Sequence, residues 1–164
     1  MCSGSHSIVS FLSQPTGLGR SVSASTEFCF TAKTNVSGDP LTIQPCIVAL
    51  NSTSSSENFN QIFNLSFTQD GGAQPITIFG DKCIEVTPTS TLQIATCSRS
   101  PDNQAQQWIM LESSLQWAGT DQCIEVPEGN LLNVDGGTGN ANVLKVGTCE
   151  TEEGKQRWMT RLAY

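Results

Sequence analysis

Along this chain of 164 residues, apolar and polar positions alternate in short runs and seldom recur at helical spacing. Ile84 and Val86 take one side of an extended segment and Glu85 the other, and Leu92 and Ile94 stand likewise against Gln93 and Ala95. A period of two marks a half-buried strand, because successive side chains of an extended backbone point to opposite faces. Turn formers divide the runs at Pro88-Thr-Ser, Gly129-Asn and Asp135-Gly-Gly-Thr-Gly. Further strands are predicted at Ser114–Trp117 and in the stretches beginning at Trp108 and Trp158.

The pattern repeats. One phrase opens each unit, as Cys29-Phe-Thr-Ala32, Cys83-Ile-Glu-Val86 and Cys123-Ile-Glu-Val126. A second closes on cysteine, as Leu41-Thr-Ile43-Gln-Pro-Cys46, Leu92-Gln-Ile94-Ala-Thr-Cys97 and Leu144-Lys-Val146-Gly-Thr-Cys149. A Gln-x-aromatic triplet follows each time, at Gln61-Ile-Phe63, Gln106-Gln-Trp108 and Gln156-Arg-Trp158. The closing cysteines stand 51 and 52 residues apart. Three landmarks in one order, three times, predict three copies of a unit of about four short strands. One such unit cannot bury its apolar face alone, so the three must share a core. A closed pseudo-threefold barrel with a hairpin cap does this and leaves no open sheet edge. The expected architecture is therefore all-β, with about twelve short strands in one domain over residues 20–164. Its repeats span about 20–70, 71–112 and 113–164, and residues 1–19 form an N-terminal segment joining the barrel. Phe63, Trp108 and Trp158 are expected in the core, near the threefold axis.

Composition agrees with a strand-and-loop protein. Only 14% of residues are charged, and hydroxyl residues, 14 Gly and 7 Pro fill the gap. The net charge of −7 argues against a nucleic-acid partner or an anionic membrane. No apolar run is long enough to span a bilayer. The start, with Cys2 and His6, shows no signal-peptide pattern, which fits either a cytosolic protein or a mature domain with an added Met.

Cysteine usage favours the second. No Cys-x-x-Cys pair occurs among the seven, and the one His lies in a polar tail, so zinc-ligand spacing is absent and no metal or cofactor is expected. Leaving out Cys2, the remaining six form an even, regularly spaced set that predicts a disulfide framework and a secreted protein. The successive pairing Cys29–Cys46, Cys83–Cys97 and Cys123–Cys149 is one of 15 connectivities, and spacing alone does not choose among them. Sequons at Asn35, Asn51 and Asn64 fit secretion, although so Ser- and Thr-rich a chain produces about two by chance.

These phrases resemble the ricin-B-type lectin domain, a β-trefoil with three repeats of a Cys-Leu/Ile-Asp-Val phrase, a downstream Cys and a Gln-x-Trp triplet. The resemblance covers roughly residues 20–164 and is strongest after residue 75; the Ser/Thr-rich, Lys-poor style is similar to secreted fungal members. It implies carbohydrate binding in up to three shallow sites. Each would use the Asp of the first phrase, a polar residue and an aromatic on the next strand, and an Asn-Gln pair at the triplet. In the second repeat these positions hold Glu85, Gln93, Ala95, Ala105 and Gln106. In the third they hold Glu125, Lys145, Gly147, Lys155 and Gln156, and in the first Thr31, Thr42, Gln44, Asn60 and Gln61. No repeat keeps the Asp or the stacking aromatic.

The candidate carbohydrate-binding residues are therefore Glu85, Gln93, Gln106, Glu125, Asn142, Lys145 and Gln156, each with a structural alternative. Gln106 and Gln156 also suit a role tying backbone groups beneath a buried Trp. Glu125 and Lys145 would face each other across a hairpin, so an ion pair filling the site competes with a ligand. Trp117 is read as a hairpin packing residue before an aromatic wall. The loop holding Asn142 is either a surface loop or a flap over a ligand, less readily a calcium loop, and the run from Glu150 to Glu153 is read as solvated.

Enzyme chemistry finds little support. A single His rules out the usual nucleophile–base arrangements, and neither a phosphate loop nor a Gly-x-Ser-x-Gly elbow occurs. Glu85 and Glu125 fall in different repeats, too far apart for the roughly 5–9.5 Å of a glycosidase pair. The reading is a secreted, non-enzymatic lectin-like protein whose partners are glycans or glycoproteins. The alternative is a trefoil whose loops hold a protein, as a protease inhibitor or host-cell receptor ligand, and a third is a module detached from a larger secreted enzyme.

Overall fold

The computed structural model describes residues 6–13, 28–45, 59–66, 72–100, 102–111, 114–126, 143–150, 156 and 158–162. Twelve strands are described: β1 (His6–Ser13), β2 (Phe28–Ala32), β3 (Leu41–Pro45), β4 (Phe63–Ser66), β5 (Ile76–Ile78) and β6 (Lys82–Val86), then β7 (Leu92–Thr96), β8 (Trp108–Leu111), β9 (Ser114–Trp117), β10 (Gln122–Glu125), β11 (Lys145–Thr148) and β12 (Trp158–Leu162). The second and third repeats contribute four each, and β1, from the N-terminal segment, joins β2–β4 of the first. Single 3₁₀ turns at Phe59–Gln61 and Gln104–Gln106 precede β4 and β8. The chain is an all-β trefoil.

Among the described residues every strand pairing is antiparallel. β1 pairs with β2, β4 and β12, β4 continues to β5, and a bridge from Gln74 to Trp108 links the β5 region to β8 and so to β9. The strands of the three repeated phrases form hairpins β2–β3, β6–β7 and β10–β11. These hairpins dock in a ring. Gly38 N donates to Ile94 O (2.8 Å), Ile94 N to Asp39 O (2.9 Å), Leu92 N to Leu144 O (2.8 Å) and Leu144 N to Leu41 O (2.9 Å). The free edge of each hairpin's second strand thus meets a neighbouring repeat.

Alternation explains what lies inside. Phe30, Leu41, Ile43, Phe63, Ile84, Leu92, Ile94, Trp108, Ile124, Leu144, Val146 and Trp158 are buried in one cluster. Edge-on contacts place Phe30 4.5 Å from Trp158 and 6.1 Å from Phe63, centroid to centroid. The two tryptophans repeat one bond: Trp108 Nε1 donates to Ile84 O and Trp158 Nε1 to Ile124 O, each at 3.1 Å. A buried indole needs such an acceptor, and the hairpin strand of its own repeat supplies it.

Disulfides join Cys83 to Cys97 and Cys123 to Cys149, closing separations of 14 and 26 residues. Cys29 is also disulfide-bonded, while Cys46 and Cys2 lie outside the described residues. Among the described residues no helix is long and apolar enough to cross a membrane.

Candidate functional site

The site positions are built from below by a buried glutamine. The 3₁₀ turn at Gln104–Gln106 drives Gln106 under the β6–β7 hairpin, where its Oε1 accepts from Ser98 N (2.8 Å). Its Nε2 donates to Thr96 O (3.1 Å) and Glu85 Oε2 (2.8 Å), which uses both amide hydrogens. Gln156 repeats the clamp on Glu150 N (2.8 Å), Thr148 O (2.8 Å) and Glu125 Oε2 (3.1 Å). Gln61 is buried likewise and donates to Thr31 Oγ1 at 2.9 Å. The glutamines thus take the structural role of tying strand ends together, and in the second and third repeats the same side chain also holds the glutamate above it.

The three faces differ in what the clamp holds. In the second repeat, register sets Glu85 opposite Gln93, and Gln93 Nε2 donates to Glu85 Oε1 at 2.8 Å. Both are half-buried, as is Ala95. A carboxylate offers about four acceptor sites, and these two bonds use half of them. In the third repeat Glu125 is only 6% exposed and its Oε1 lies 3.0 Å from Lys145 Nζ. A Cβ on Gly147 would stand 2.6 Å from Glu125 Oε2 and 2.8 Å from Oε1. The carboxylate therefore lies folded over the strand, in the space a side chain at 147 would take. In the first repeat Thr31 is buried, its hydroxyl bonded to Cys29 O and Gln61, and Thr42 donates to Thr31 O at 3.1 Å.

One residue at the second face comes from outside its repeat. Pro40 bridges Gln93, and directly opposed residues of an antiparallel pair share a face, so the row reads Glu85, Gln93, Pro40. Repeat arithmetic missed Pro40, since it aligns positions within units while this pairing crosses them. Trp117 packs against the core and donates from Nε1 to Gln104 O at 2.8 Å. Glu150 is exposed. Asn142, its loop over 135–142, and residues 151–153 lie outside the described residues. Asn35 is exposed in the β2–β3 turn, Asn64 is half-buried in β4, and Asn51 lies outside the described residues. Among the described residues no group of three His, Cys, Asp or Glu side chains gathers to hold a metal.

Three hairpins in a ring, each with a glutamine buried beneath it, define a lectin-type trefoil. The profile of the ricin-type beta-trefoil lectin domain matches residues 17–158, and the chain belongs to that family. No curated protein matches the sequence. Among solved structures the chain is similar to the C-half of the earthworm R-type lectin in complex with GalNAc, with 11% identity and a TM-score of 0.62 over 95% of this chain and 98% of that one. The Vibrio vulnificus hemolysin/cytolysin β-trefoil lectin with bound N-acetyl-D-lactosamine gives 17% identity and a TM-score of 0.58, covering 97% and 96%. The Abrus precatorius agglutinin gives 15% and 0.63, covering 98% of this chain and 50% of that one. At these identities the likeness speaks for the fold.

Proposed function

We propose that this chain is a secreted, non-enzymatic carbohydrate-binding protein that takes its glycan on the second-repeat face. The observation that carries this reading is the state of Glu85. It is held by two amide donors, half-exposed, and keeps acceptor capacity for sugar hydroxyls. The corresponding Glu125 is buried against its own lysine, and the first repeat offers a buried threonine. Gln93 brings a second polar group, Gln106 positions the carboxylate, and the Pro40 ring edges the face in place of the missing aromatic. Without a stacking platform a single site is weak, so useful avidity comes from multivalent glycans. Membership of a lectin family, together with the sugars named for similar structures, supports glycans as the partners. The disulfides support an oxidising, extracellular setting.

A glycan array with the oxidised chain, including N-acetyl-D-galactosamine and N-acetyl-D-lactosamine, tests the reading. Glu85→Ala removes a charged hydrogen-bond acceptor worth about 1.5–3 kcal/mol, so affinity should fall roughly ten- to a hundredfold. Lys145→Ala should leave affinity unchanged. Absence of binding at millimolar sugar rejects the proposal.

A further inference from the structure

Two glutamates of this chain share a phrase, a register and a clamp, yet finish in different places. Glu85 on β6 and Glu125 on β10 each stand within Cys-Ile-Glu-Val. Glu85 lies opposite Gln93 with Cys83 opposite Ala95, and Glu125 lies opposite Lys145 with Cys123 opposite Gly147. From beneath, Gln106 and Gln156 donate to the respective Oε2 atoms, and Trp108 and Trp158 hold the carbonyls of Ile84 and Ile124. Glu85 is nevertheless half-buried and Glu125 buried.

The residue opposite does not separate the two states. Both supply a donor to Oε1, Gln93 Nε2 at 2.8 Å and Lys145 Nζ at 3.0 Å. The neighbouring hairpins contribute Pro40 and Thr91, which bridge the far sides of Gln93 and Lys145, one strand away from the glutamates. Residue 95 or 147 does separate them. A Cβ added at Gly147 would meet Glu125 Oε2, Cδ and Oε1 at 2.6, 2.7 and 2.8 Å. Non-bonded carbons settle about 3.5–4.0 Å apart. All three carboxylate atoms therefore lie where only a glycine leaves room. Ala95 carries that Cβ, diagonal to Glu85 on the same face of its hairpin. The position Glu125 takes is closed to Glu85. Gly147 has no positive φ that would call for glycine, so what its missing side chain provides is space.

We infer that Ala95 is the positioning residue of the second-repeat face. Its methyl keeps the Glu85 carboxylate from folding over β7 and holds it at the surface, while Gly147 lets the third face close on itself. The consequence for a ligand rests on the sugar-binding role proposed for Glu85; the side-chain geometry does not. Of the two glutamate faces the chain offers one to a glycan, and the choice is made by a side chain with no polar group.

The oxidised full chain carrying Ala95→Gly provides the test. A crystal structure of this variant should show the Glu85 carboxylate lying over the backbone of residue 95, as Glu125 lies over residue 147. Affinity for N-acetyl-D-lactosamine, followed by NMR titration, should fall roughly ten- to a hundredfold, the loss expected for removing the carboxylate itself. Ala95→Ser restores a Cβ and should restore both the position of Glu85 and, within about threefold, the affinity. Loss of stability alone, the ordinary effect of glycine within a strand, would lower Tm without moving Glu85. The converse pair, Lys145→Gln with Gly147→Ala, copies the pairing strand of the second face into the third and should lift Glu125 to the half-buried state of Glu85. A Glu85 that stays in place in Ala95→Gly, or moves without loss of affinity, overturns the inference, as does a Glu125 that stays buried in the double variant. If Glu85 moves while neither form binds any sugar on the array, Ala95 stands as its positioning residue and the sugar-binding reading fails.

Discussion

Replacing Gly147 by alanine places a methyl group where Glu125 folds over β11, and the size of the effect follows from what the carboxylate must give up. The new Cβ would stand 2.6–2.8 Å from the Glu125 carboxylate, so that group has to leave. It loses the bond from Gln156 Nε2, a charged hydrogen bond worth about 1.5–3 kcal/mol. It also loses the contact with half-exposed Lys145, worth at most about 1 kcal/mol. Two effects offset this loss: the displaced side chain regains water, and alanine restricts the unfolded chain by about 0.4–1 kcal/mol relative to glycine. The net expectation is a destabilisation of about 1–3 kcal/mol, or several degrees in Tm for a domain of this length. With Glu125→Ala already present, the obstructing atoms are gone. Gly147 lacks the positive φ that would penalise a side chain, so Gly147→Ala should then be neutral or slightly stabilising. Urea denaturation of the four oxidised proteins of this cycle measures the coupling directly. Equal cost in both backgrounds would refute the self-filled third face.

Trp108→Phe and Trp158→Phe each orphan a buried carbonyl, on Ile84 and Ile124 respectively, and should each cost about 1–3 kcal/mol in the same denaturation assay. A large disparity between them would argue against equivalent repeats. Removing Cys123–Cys149 as a double alanine variant should destabilise more than removing Cys83–Cys97, by about 3.5 against about 3 kcal/mol, because the longer loop gains more entropy when opened. The reverse order, with both variants folded, would count against loop closure as the origin of the effect.

Much of this molecule is written locally. A strand's period of two depends only on which residues follow one another, so the hairpins, the buried Ile and Val positions and the threefold recurrence of cysteine and glutamine could be read directly from the chain. The pairing of Glu85 with Gln93 and of Glu125 with Lys145 follows from hairpin register within a repeat. What the letters did not distinguish is that two identical Cys-Ile-Glu-Val phrases end in different states. A lysine opposite and a glycine two residues on let Glu125 collapse into its own site, whereas Gln93 and Ala95 leave Glu85 half-exposed. Nor did they place Pro40 beside the second face, since hairpin-to-hairpin docking joins residues more than fifty positions apart through backbone groups that every residue possesses. Side-chain alternation is a property of the sequence; which repeat borders which exists only once the ring of hairpins has closed.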